Sequence, residues 1–387
     1  MTEMVFGTLP AKQGEALVPR WWRTVDRWSI AAVVGLFLIG LLLGFAASPP
    51  LAQRNGLEPF HYVIRQAGFG VFALVTMIVV SMLSPVEIRR KAILGFALAA
   101  LAVALLPFFG TDFGKGAMRW YSLGFASVQP SEFLKPGFVI FAAWLMAAST
   151  DIGGPPGKTL SFMTAVVLAV LLVIQPDFGQ ACLILATWAL MYFIAGAPII
   201  LLVVVAMIVL AAGVFSYANS EHVARRVDGF LSPDLDPRTQ LGFATNAIQE
   251  GGIFGVGVGQ GTVKWSLPDA HTDFIIAVAA EEFGLLICLV VIALFSVIVI
   301  RSIVRLLRER DPFVRLAGTG LAALFGLQAL INLGVAVRLL PAKGMTLPFV
   351  SYGGSSLLAA GLAVGMLLAL TRERPQDHLS DIIGRGR

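Results

Sequence analysis

Charged residues are scarce in this chain of 387 residues, since Asp, Glu, Lys and Arg together make up only 13% of it. A soluble globular domain carries roughly a quarter charged residues. Hydrophobic residues reach 57%, and the mean hydropathy is +0.84. A water-soluble core cannot hide that much apolar surface, so the composition excludes a soluble enzyme and predicts an integral membrane protein. The net charge of +5 is small for this length and indicates no nucleic-acid partner.

Cysteine and histidine are also rare. Cys182 and Cys288 both lie within apolar runs, so no disulfide framework is expected. The four histidines are scattered and show no spacing typical of a metal site. The polar, basic segment 1–28 precedes an apolar run long enough to span a membrane, without a small-residue cleavage site, so no cleaved signal peptide is expected.

Long apolar runs dominate the rest of the sequence. A membrane span needs about 20 such residues. We predict an all-α integral membrane protein with ten transmembrane helices and a large extracytoplasmic loop, residues 218–272, between the seventh and eighth. The predicted spans are 29–48, 66–83, 92–109, 132–149, 159–174, 179–196, 198–217, 273–300, 316–337 and 347–370. The polytopic membrane domain is then 29–370, between a cytoplasmic N-terminal segment, 1–28, and a cytoplasmic tail, 371–387.

Basic residues set the predicted orientation, because Lys and Arg accumulate on the cytoplasmic side. An inside N-terminus places Arg89-Arg90-Lys91 and the arginine cluster between 301 and 315 in the cytoplasm. Three outer segments then remain basic: Lys115 with Arg119, Arg225 with Arg226, and Arg338 with Lys343. They indicate an anionic partner on the outer face, with ordinary loop solvation as the alternative.

The outer loop 218–272 is too long for a plain connection and should contain its own short helix. The stretch 244–249 fits one, ending at Gly251-Gly252. The glycines that follow let the backbone turn tightly or approach a ligand.

Two polar clusters on the predicted outer face lie near the starts of the fourth and sixth spans. In the first, Glu132 and Lys135 are three residues apart and share a helix face. They form either an ion pair that only holds the fold or a charged lining for a lipid headgroup. The second is the link from Gln175 to Gln180, which includes Asp177 and whose alternative interpretation is a Pro-Asp turn.

A third cluster places Asp273 where a polar segment meets the eighth apolar run. Such a carboxylate must be hydrated, paired or used in chemistry, and a helix N-cap is the competing interpretation. Glu281 and Glu282 follow inside the apolar run. They should face protein or water, and we expect no basic residue to accompany them.

The fourth cluster runs from Arg338 to Ser356. Pro348 and the Gly353-Gly354 pair interrupt what would be the tenth helix. Broken helices at membrane depth occur where the backbone lines a cavity or is buried in protein.

Four ordered motifs in these clusters resemble the SEDS family (shape, elongation, division and sporulation) over about residues 30–372. They are Gln129-Pro130-Ser131-Glu132, Gln175-Pro176-Asp177-Phe178-Gly179, Ala270-His271-Thr272-Asp273-Phe274 and the run from Lys343 to Ser355. The run Lys343-Gly344-Met345-Thr346-Leu347-Pro348-Phe349, the Arg119-Trp120 pair and the Ala before His271 are closer to the cell-division branch than to the elongation branch.

The resemblance implies a peptidoglycan glycosyltransferase with ten transmembrane helices. Such enzymes polymerise lipid II into a growing glycan strand on the outer face of the cytoplasmic (inner) membrane. They work beside a class B penicillin-binding protein, the transpeptidase that crosslinks the strands. For the division branch, other divisome proteins and a position at the septum are expected as well.

The expected chemistry needs few groups. An acceptor hydroxyl displaces undecaprenyl pyrophosphate from the anomeric carbon of the donor sugar, so one base must take a proton and cations must neutralise the leaving anion. By motif, Asp273 corresponds to the family's essential aspartate, and Arg119, Lys135 and Lys343 are candidate pyrophosphate binders. Glu132 and Asp177 are candidates for holding Lys135 or a metal. The remaining candidate substrate-binding residues are Gln180, His271, Thr272, Ser351, Tyr352 and Ser355.

No cofactor is required by this chemistry. A divalent cation, Mg²⁺ or Mn²⁺, is compatible with it, although the sequence shows no ligand set. Two other functions remain open at this level. A lipid II flippase would use the same outer charges and the broken tenth helix as a path, whereas a division scaffold would need no carboxylate at position 273.

Overall fold

The computed structural model describes residues 17–112, 118–124, 126–196, 198–219, 221, 224, 227–229, 239–267, 269–341 and 344–373. Within them the chain is almost entirely helical, with a short 3₁₀ turn at Val263–Trp265 and one small hairpin, β1 (Tyr121–Ser122) and β2 (Ser127–Val128). The helices are α1 Leu17–Thr24, α2 Arg27–Arg54, α3 His61–Ser81, α4 Pro85–Phe109, α5 Pro130–Ala148, α6 Gly157–Ile174, α7 Phe178–Ile194, α8 Ile199–Asn219, α9 Gln240–Gly251, α10 Ile275–Leu306, α11 Pro312–Ala336 and α12 Gly354–Leu370.

Seven of the described helices are long and apolar enough to cross a membrane: α2 to α6, α10 and α11. The helices α7 and α12 are apolar as well, with 17 residues each. Each of the ten predicted spans overlaps one helix among α2 to α8 and α10 to α12. The chain is therefore a multi-pass, all-α membrane protein.

Local sequence sets several helix starts. Ser84 and Glu87 form a reciprocal capping box at α4, and Asp311 accepts two backbone N–H groups at the start of α11. Pro85, Pro130 and Pro312 stand in the first turns of their helices, where a missing N–H costs nothing. The helices α4 and α11 therefore start seven and four residues before the predicted spans 92–109 and 316–337.

The eighth predicted span, 273–300, is wrong at both ends and in its continuity. The helix α10 starts at Ile275 and runs to Leu306, so Arg301 and Arg305 lie within its last two turns. It is also broken at Gly284, whose φ of 78° and ψ of −172° are not helical. The part after the break, residues 285–306, has about 22 residues and spans roughly 33 Å, which is enough to cross the apolar core alone.

The tenth predicted span, 347–370, is wrong at its start, because α12 begins only at Gly354. Residues 344–353 are irregular, as the proline and the glycine pair predict. This segment is held inside the protein: a Cβ on Gly40 of α2 would lie 2.6 Å from the carbonyl oxygen of Phe349. Gln66 of α3 donates to the carbonyl of Val350 at 3.0 Å. The irregular backbone is thus buried against neighbouring helices.

The helices pack as a bundle in which α12 lies against α3 and α5, and α11 contacts α5, α7, α10 and α12. The helix expected within residues 218–272 is confirmed, and it extends over Gln240–Gly251 as α9. It packs against the first part of α10. The central helices α5 and α11 are the most buried of the long spans, and Glu132, Lys135, Gln328 and Asn332 on them are buried in protein.

A candidate active site at one end of the bundle

The Glu132 and Lys135 side chains form a buried ion pair in the first two turns of α5. Lys135 Nζ lies 2.8 Å from Glu132 Oε2, and the two residues are only 2% and 5% exposed. Lys135 also donates to Gln328 Oε1 at 3.1 Å, and Glu132 Oε1 accepts from Gln180 Nε2 at 2.7 Å. Both charges are therefore paired and hydrogen-bonded, which is how buried charges are tolerated.

Asp177 lies beside this pair, in the link between α6 and α7. Its Oδ2 accepts from Gln129 Nε2 at 3.2 Å. Burial raises the pKa of the Asp177 carboxyl to about 6; the nearby Glu132 also raises it, while Arg119 and Lys135 counteract the rise. Among the described residues, Gln129 rather than Lys135 gives Asp177 a side-chain hydrogen bond, and the backbone N–H of Gln180 donates to it as well.

Arg119 reaches the same link from the segment before β1. Its Nε donates to the carbonyl of Gln175 at 3.0 Å and its Nη2 to the carbonyl of Pro176 at 2.6 Å. These bonds bring a half-buried guanidinium next to the Asp177 link. Pro176 has a positive φ of 28°, so the link is a tight turn held partly by that arginine.

Two polar residues of α11 connect the ion pair to the other motifs. Gln328 and Asn332 are four residues apart, on one face and about 6 Å along the helix. Gln328 bonds Lys135 and, through Nε2, the carbonyl of Thr346 at 3.1 Å. Asn332 Nδ2 donates to the carbonyls of Met345 at 2.6 Å and of Asp273 at 3.0 Å. One helix face thus holds three of the motifs together.

Asp273 stands in the turn that precedes α10. The N-cap residue of α10 is Phe274, without a side-chain capping bond, so the N-cap interpretation of Asp273 is not borne out. The carboxylate points toward Gly344 instead: Asp273 Oδ2 lies 3.5 Å from the place where a Cβ on Gly344 would stand. Gly344 also has a φ of 61°, which favours glycine.

His271 and Thr272 are fastened to the segment before α12. Ser351 Oγ donates to the carbonyl of Thr272 at 2.5 Å, and the N–H of Tyr352 donates to the carbonyl of His271 at 2.9 Å. The rings of His271, Tyr352 and Tyr62 form a triangle with centroids 5.3 to 5.6 Å apart. This aromatic triangle borders the Asp273 turn.

Ser355 completes the connection between motifs, because its hydroxyl accepts from the backbone N–H of Gln129 at 3.4 Å. The sequence-predicted residues Arg119, Glu132, Lys135, Asp177 and Gln180 are therefore joined to His271, Thr272, Asp273, Ser351, Tyr352 and Ser355 at one end of the bundle. Lys343 lies outside the described residues.

Sequence reasoning missed several residues of this network. Gln328, Asn332 and Gln66 are buried amides within apolar helices. Their signal in the sequence was that polarity, since a polar group in such a helix needs an internal partner. Ser131 Oγ, Gln180 Oε1 and Asn332 Oδ1 are buried without a hydrogen-bond partner among the described residues. Such atoms are where a polar ligand or water finds a partner.

The described residues contain no evident metal-binding site. No group of three or more His, Cys, Asp or Glu among them is arranged to bind a metal ion. Glu132 is already engaged by Lys135 and Gln180. A role for Mg²⁺ or Mn²⁺ therefore stays a prediction.

The sequence of this chain is similar to one family of known proteins over almost its whole length. The profile of the cell cycle protein family that includes FtsW, RodA and SpoVE matches residues 27–376. The probable peptidoglycan glycosyltransferase FtsW of Caulobacter vibrioides is 43% identical over 356 residues, covering 92% of this chain and 91% of the relative. The corresponding protein of Trichlorobacter lovleyi is 34% identical over 348 residues, covering 88% and 91%.

Two solved structures resemble the fold. A chain from a study of how a peptidoglycan synthase complex coordinates polymerization and crosslinking aligns with a TM-score of 0.72 and 27% identity, over 90% of this chain and 97% of that chain. The rod shape determining protein RodA of Thermus thermophilus aligns with a TM-score of 0.65 and 24% identity over the same shares, which shows the common fold. By its profile match and its relatives, the chain belongs to the FtsW, RodA and SpoVE family of cell cycle proteins, the SEDS family that its four motifs resemble.

Proposed function

We propose that this chain is a peptidoglycan glycosyltransferase that polymerises lipid II into glycan strands during cell division. The observation that carries the proposal is the convergence of four sequence-distant polar motifs in one hydrogen-bonded network beside Asp273. The FtsW proteins of other bacteria, similar over about nine-tenths of the chain, are named for this activity.

Asp273 is the proposed general base. Its carboxylate takes the proton from the acceptor hydroxyl while that oxygen forms a bond to the anomeric carbon of the donor. The bond from the anomeric carbon to the pyrophosphate oxygen breaks, and the electron pair leaves with the pyrophosphate. The partial exposure of Asp273 and its position next to Gly344 support this role, because a partly exposed carboxylate is accessible to a hydroxyl.

Cations neutralise the departing pyrophosphate. Arg119 is half-buried next to the network, and Lys343 precedes the glycine that faces Asp273, so both are proposed pyrophosphate binders. Lys135 is 2% exposed and paired with Glu132, which favours a role in holding α5, α7 and α11 in register beneath the bound headgroup. Gln180, Thr272, His271, Ser351, Tyr352 and Ser355 line or support the same region.

The proposed topology has ten transmembrane helices, α2 to α8 and α10 to α12, with both termini in the cytoplasm. The outer loop is 218–272, and the chain sits in the inner membrane at the division septum. The basic residues support this orientation: Arg301 and Arg305 lie at the end of α10 opposite to Asp273. A position of both termini on one side is also supported by the bond from the N–H of Glu373 to the carbonyl of Thr24.

A class B penicillin-binding protein is the proposed partner, and other divisome proteins join it at the septum. Exposed apolar side chains support an outer contact at α10, where Leu285, Leu286 and Leu289 lie close after the break. Phe254, in the loop that packs at that break, is 78% exposed. A single-span partner with an outer domain would contact both surfaces.

The test is polymerisation of labelled lipid II by the purified chain with its partner in defined vesicles. The proposal predicts glycan strands that require this chain. Transbilayer movement of lipid II without strand formation would favour a flippase. Neither activity, with binding to the partner retained, would favour a scaffold.

A further inference from the structure

The break in α10 leaves Asp273 at the head of a short, separate helix. Residues 275–283 precede Gly284, and Ile275 to Glu282 are all 4% exposed or less. The backbone groups freed by the break are satisfied by the loop after α9. Val256 N–H donates to the carbonyl of Glu281 at 2.9 Å, and Gly257 N–H to that of Glu282 at 3.2 Å. Such a break persists only where the surrounding protein re-satisfies the backbone.

Two carboxylates at the end of this short helix reach back to the chain just before Asp273. Glu281 Oε1 accepts from the N–H of Val263 at 2.7 Å, and Glu282 Oε2 from that of Gly259 at 3.0 Å. Lys264 Nζ forms a buried ion pair with Glu282 Oε1. The expectation that no basic residue accompanies these glutamates is therefore wrong: the lysine comes from 18 residues earlier in the chain.

These contacts hold residues 259–264, which precede the Asp273 turn, against Glu281 and Glu282, which follow it. From Lys264 the chain runs to the Asp273 turn and then through the short helix back to Glu282, so the ion pair closes a loop with Asp273 inside it. The turn itself, residues 271–273, is held through its backbone carbonyls by Ser351, Tyr352 and Asn332. Arg54 of α2 also donates to the carbonyl of Trp265.

We propose that Lys264 and Glu282 are positioning residues that fix Asp273 relative to Gly344 and the acceptor hydroxyl; this inference rests on the function proposed above. A buried ion pair stabilises a fold only weakly compared with apolar residues of the same volume. What the pair does specifically is hold the two segments that carry Lys264 and Glu282 in one relative position, because the ammonium and carboxylate meet in one geometry. A base must be placed within a fraction of an ångström, and a misplacement of about 1 Å costs on the order of 10²-fold in rate.

A neutral double variant separates positioning from stability. Lys264→Met with Glu282→Gln removes both charges at similar volume, so it leaves no unpaired buried charge. The matched control is Asp26→Asn with Arg301→Met. That pair joins the N-cap of α2 to the opposite end of α10, with Arg301 Nε 2.8 Å from Asp26 Oδ2. Asn retains the capping ability of Asp26.

Each variant is purified with its partner, and melting temperature, lipid II binding and kcat are measured at matched folded concentration. For Lys264→Met/Glu282→Gln we expect lipid II binding within about twofold of wild type and a kcat lowered about 10- to 100-fold. The control pair should keep its kcat within about twofold. A kcat equal to that of the control would overturn the inference, and so would an unchanged kcat with a raised KM, which indicates substrate contact instead.

Glu282→Asp keeps both charges and covers the case in which the double variant does not fold. It shortens the bridge by one methylene, and a kcat several-fold below wild type is expected; a wild-type kcat would overturn the inference. Asp273→Asn is assayed in parallel. If Asp273→Asn polymerises normally, the proposed base fails; if it is inactive while Lys264→Met/Glu282→Gln behaves like the control, only the positioning role fails.

Discussion

Removing one partner of the Glu132 and Lys135 pair should destabilise the protein strongly. Lys135→Ala leaves a carboxylate that is 5% exposed with Gln180 as its remaining side-chain donor. Glu132→Ala leaves an ammonium that is 2% exposed with Gln328 as its remaining side-chain acceptor. An uncompensated buried charge costs roughly 3–5 kcal/mol, which is about 10² to 10⁴-fold in the ratio of folded to unfolded protein.

The neutral double variant Glu132→Gln with Lys135→Met should recover most of that loss. It removes both charges, and the amide at 132 still accepts from Gln180, so we expect a cost of about 1 kcal/mol or less. With Glu132→Gln and Lys135→Met also made singly, the difference between the double variant and the sum of these two singles is the coupling energy of the pair. Lys91→Ala is the control, because Lys91 is exposed at α4 and such a change typically stays within about 0.5 kcal/mol.

The assay is folded yield and thermal denaturation in detergent, together with lipid II polymerisation at matched folded concentration. If both single variants remain well folded and fully active, the reasoning about this pair is refuted. A double variant that folds but does not polymerise would place Lys135 or Glu132 in contact with substrate. One that does both would leave the pair with a structural role only.

Three further predictions follow from the topology, the buried Asp177 and the exposed apolar surface. With Cys182 and Cys288 replaced, single cysteines at 112, 230 and 343 should label from outside and those at 90, 155 and 308 should not; outside labelling at 308 would reverse the orientation. Burial raises the pKa of Asp177 from 3.8 to about 6, so between these pH values the native state binds more protons than the unfolded state. The stability that protonated Asp177 contributes is therefore present below pH 4 and is lost as the pH rises through 6, by about 3 kcal/mol. Asp177→Asn should flatten this fall in thermal stability from pH 4 to 7, and an unchanged pH profile would contradict the assignment. Photocrosslinking residues at 254, 285 and 286 should capture the transpeptidase partner, and crosslinks formed only from cytoplasmic positions such as 160 would contradict the outer contact.

The helices and the grouping of the motifs could largely be predicted from the sequence. Each of the ten apolar runs overlaps one helix, and seven of these helices are long and apolar enough to cross a membrane. The pairing of Glu132 with Lys135 followed from their spacing on one helix face. The irregular backbone before Gly354 followed from Pro348 and the glycine pair.

The break in α10 could not be predicted, because Gly284 is one glycine within a long apolar run. What decides the break is the loop after α9: a Cβ on Gly284 would lie 2.2 Å from the carbonyl oxygen of Ile253. That contact depends on tertiary packing between segments about 30 residues apart. The pairing of Lys264 with Glu282 arises in the same way.

The partners of Gln328 and Asn332 could not be predicted from the sequence. The two amides in one apolar helix indicate internal partners, but nothing local shows that one faces Lys135 and the other the Asp273 turn. The N-cap interpretation of Asp273 also needed the structure, because the first helical residue is Ile275 and its cap is Phe274. Because the helix starts two residues after Asp273, this carboxylate is not its N-cap.

The central claim, that Asp273 is the base, is tested most directly by Asp273→Asn. Asn has nearly the same shape as Asp but cannot take a proton. The measurement is glycan strand formation from lipid II by the purified protein with its partner, at matched folded concentration and with lipid II binding measured alongside. The account predicts normal folding and binding, with polymerisation lowered by at least about 10² to 10⁴-fold; Asp273→Glu should recover only part of the activity, because its carboxylate is displaced by about an ångström. Polymerisation by Asp273→Asn near the wild-type rate would contradict the account and make Asp177 or Glu132 the next base to test.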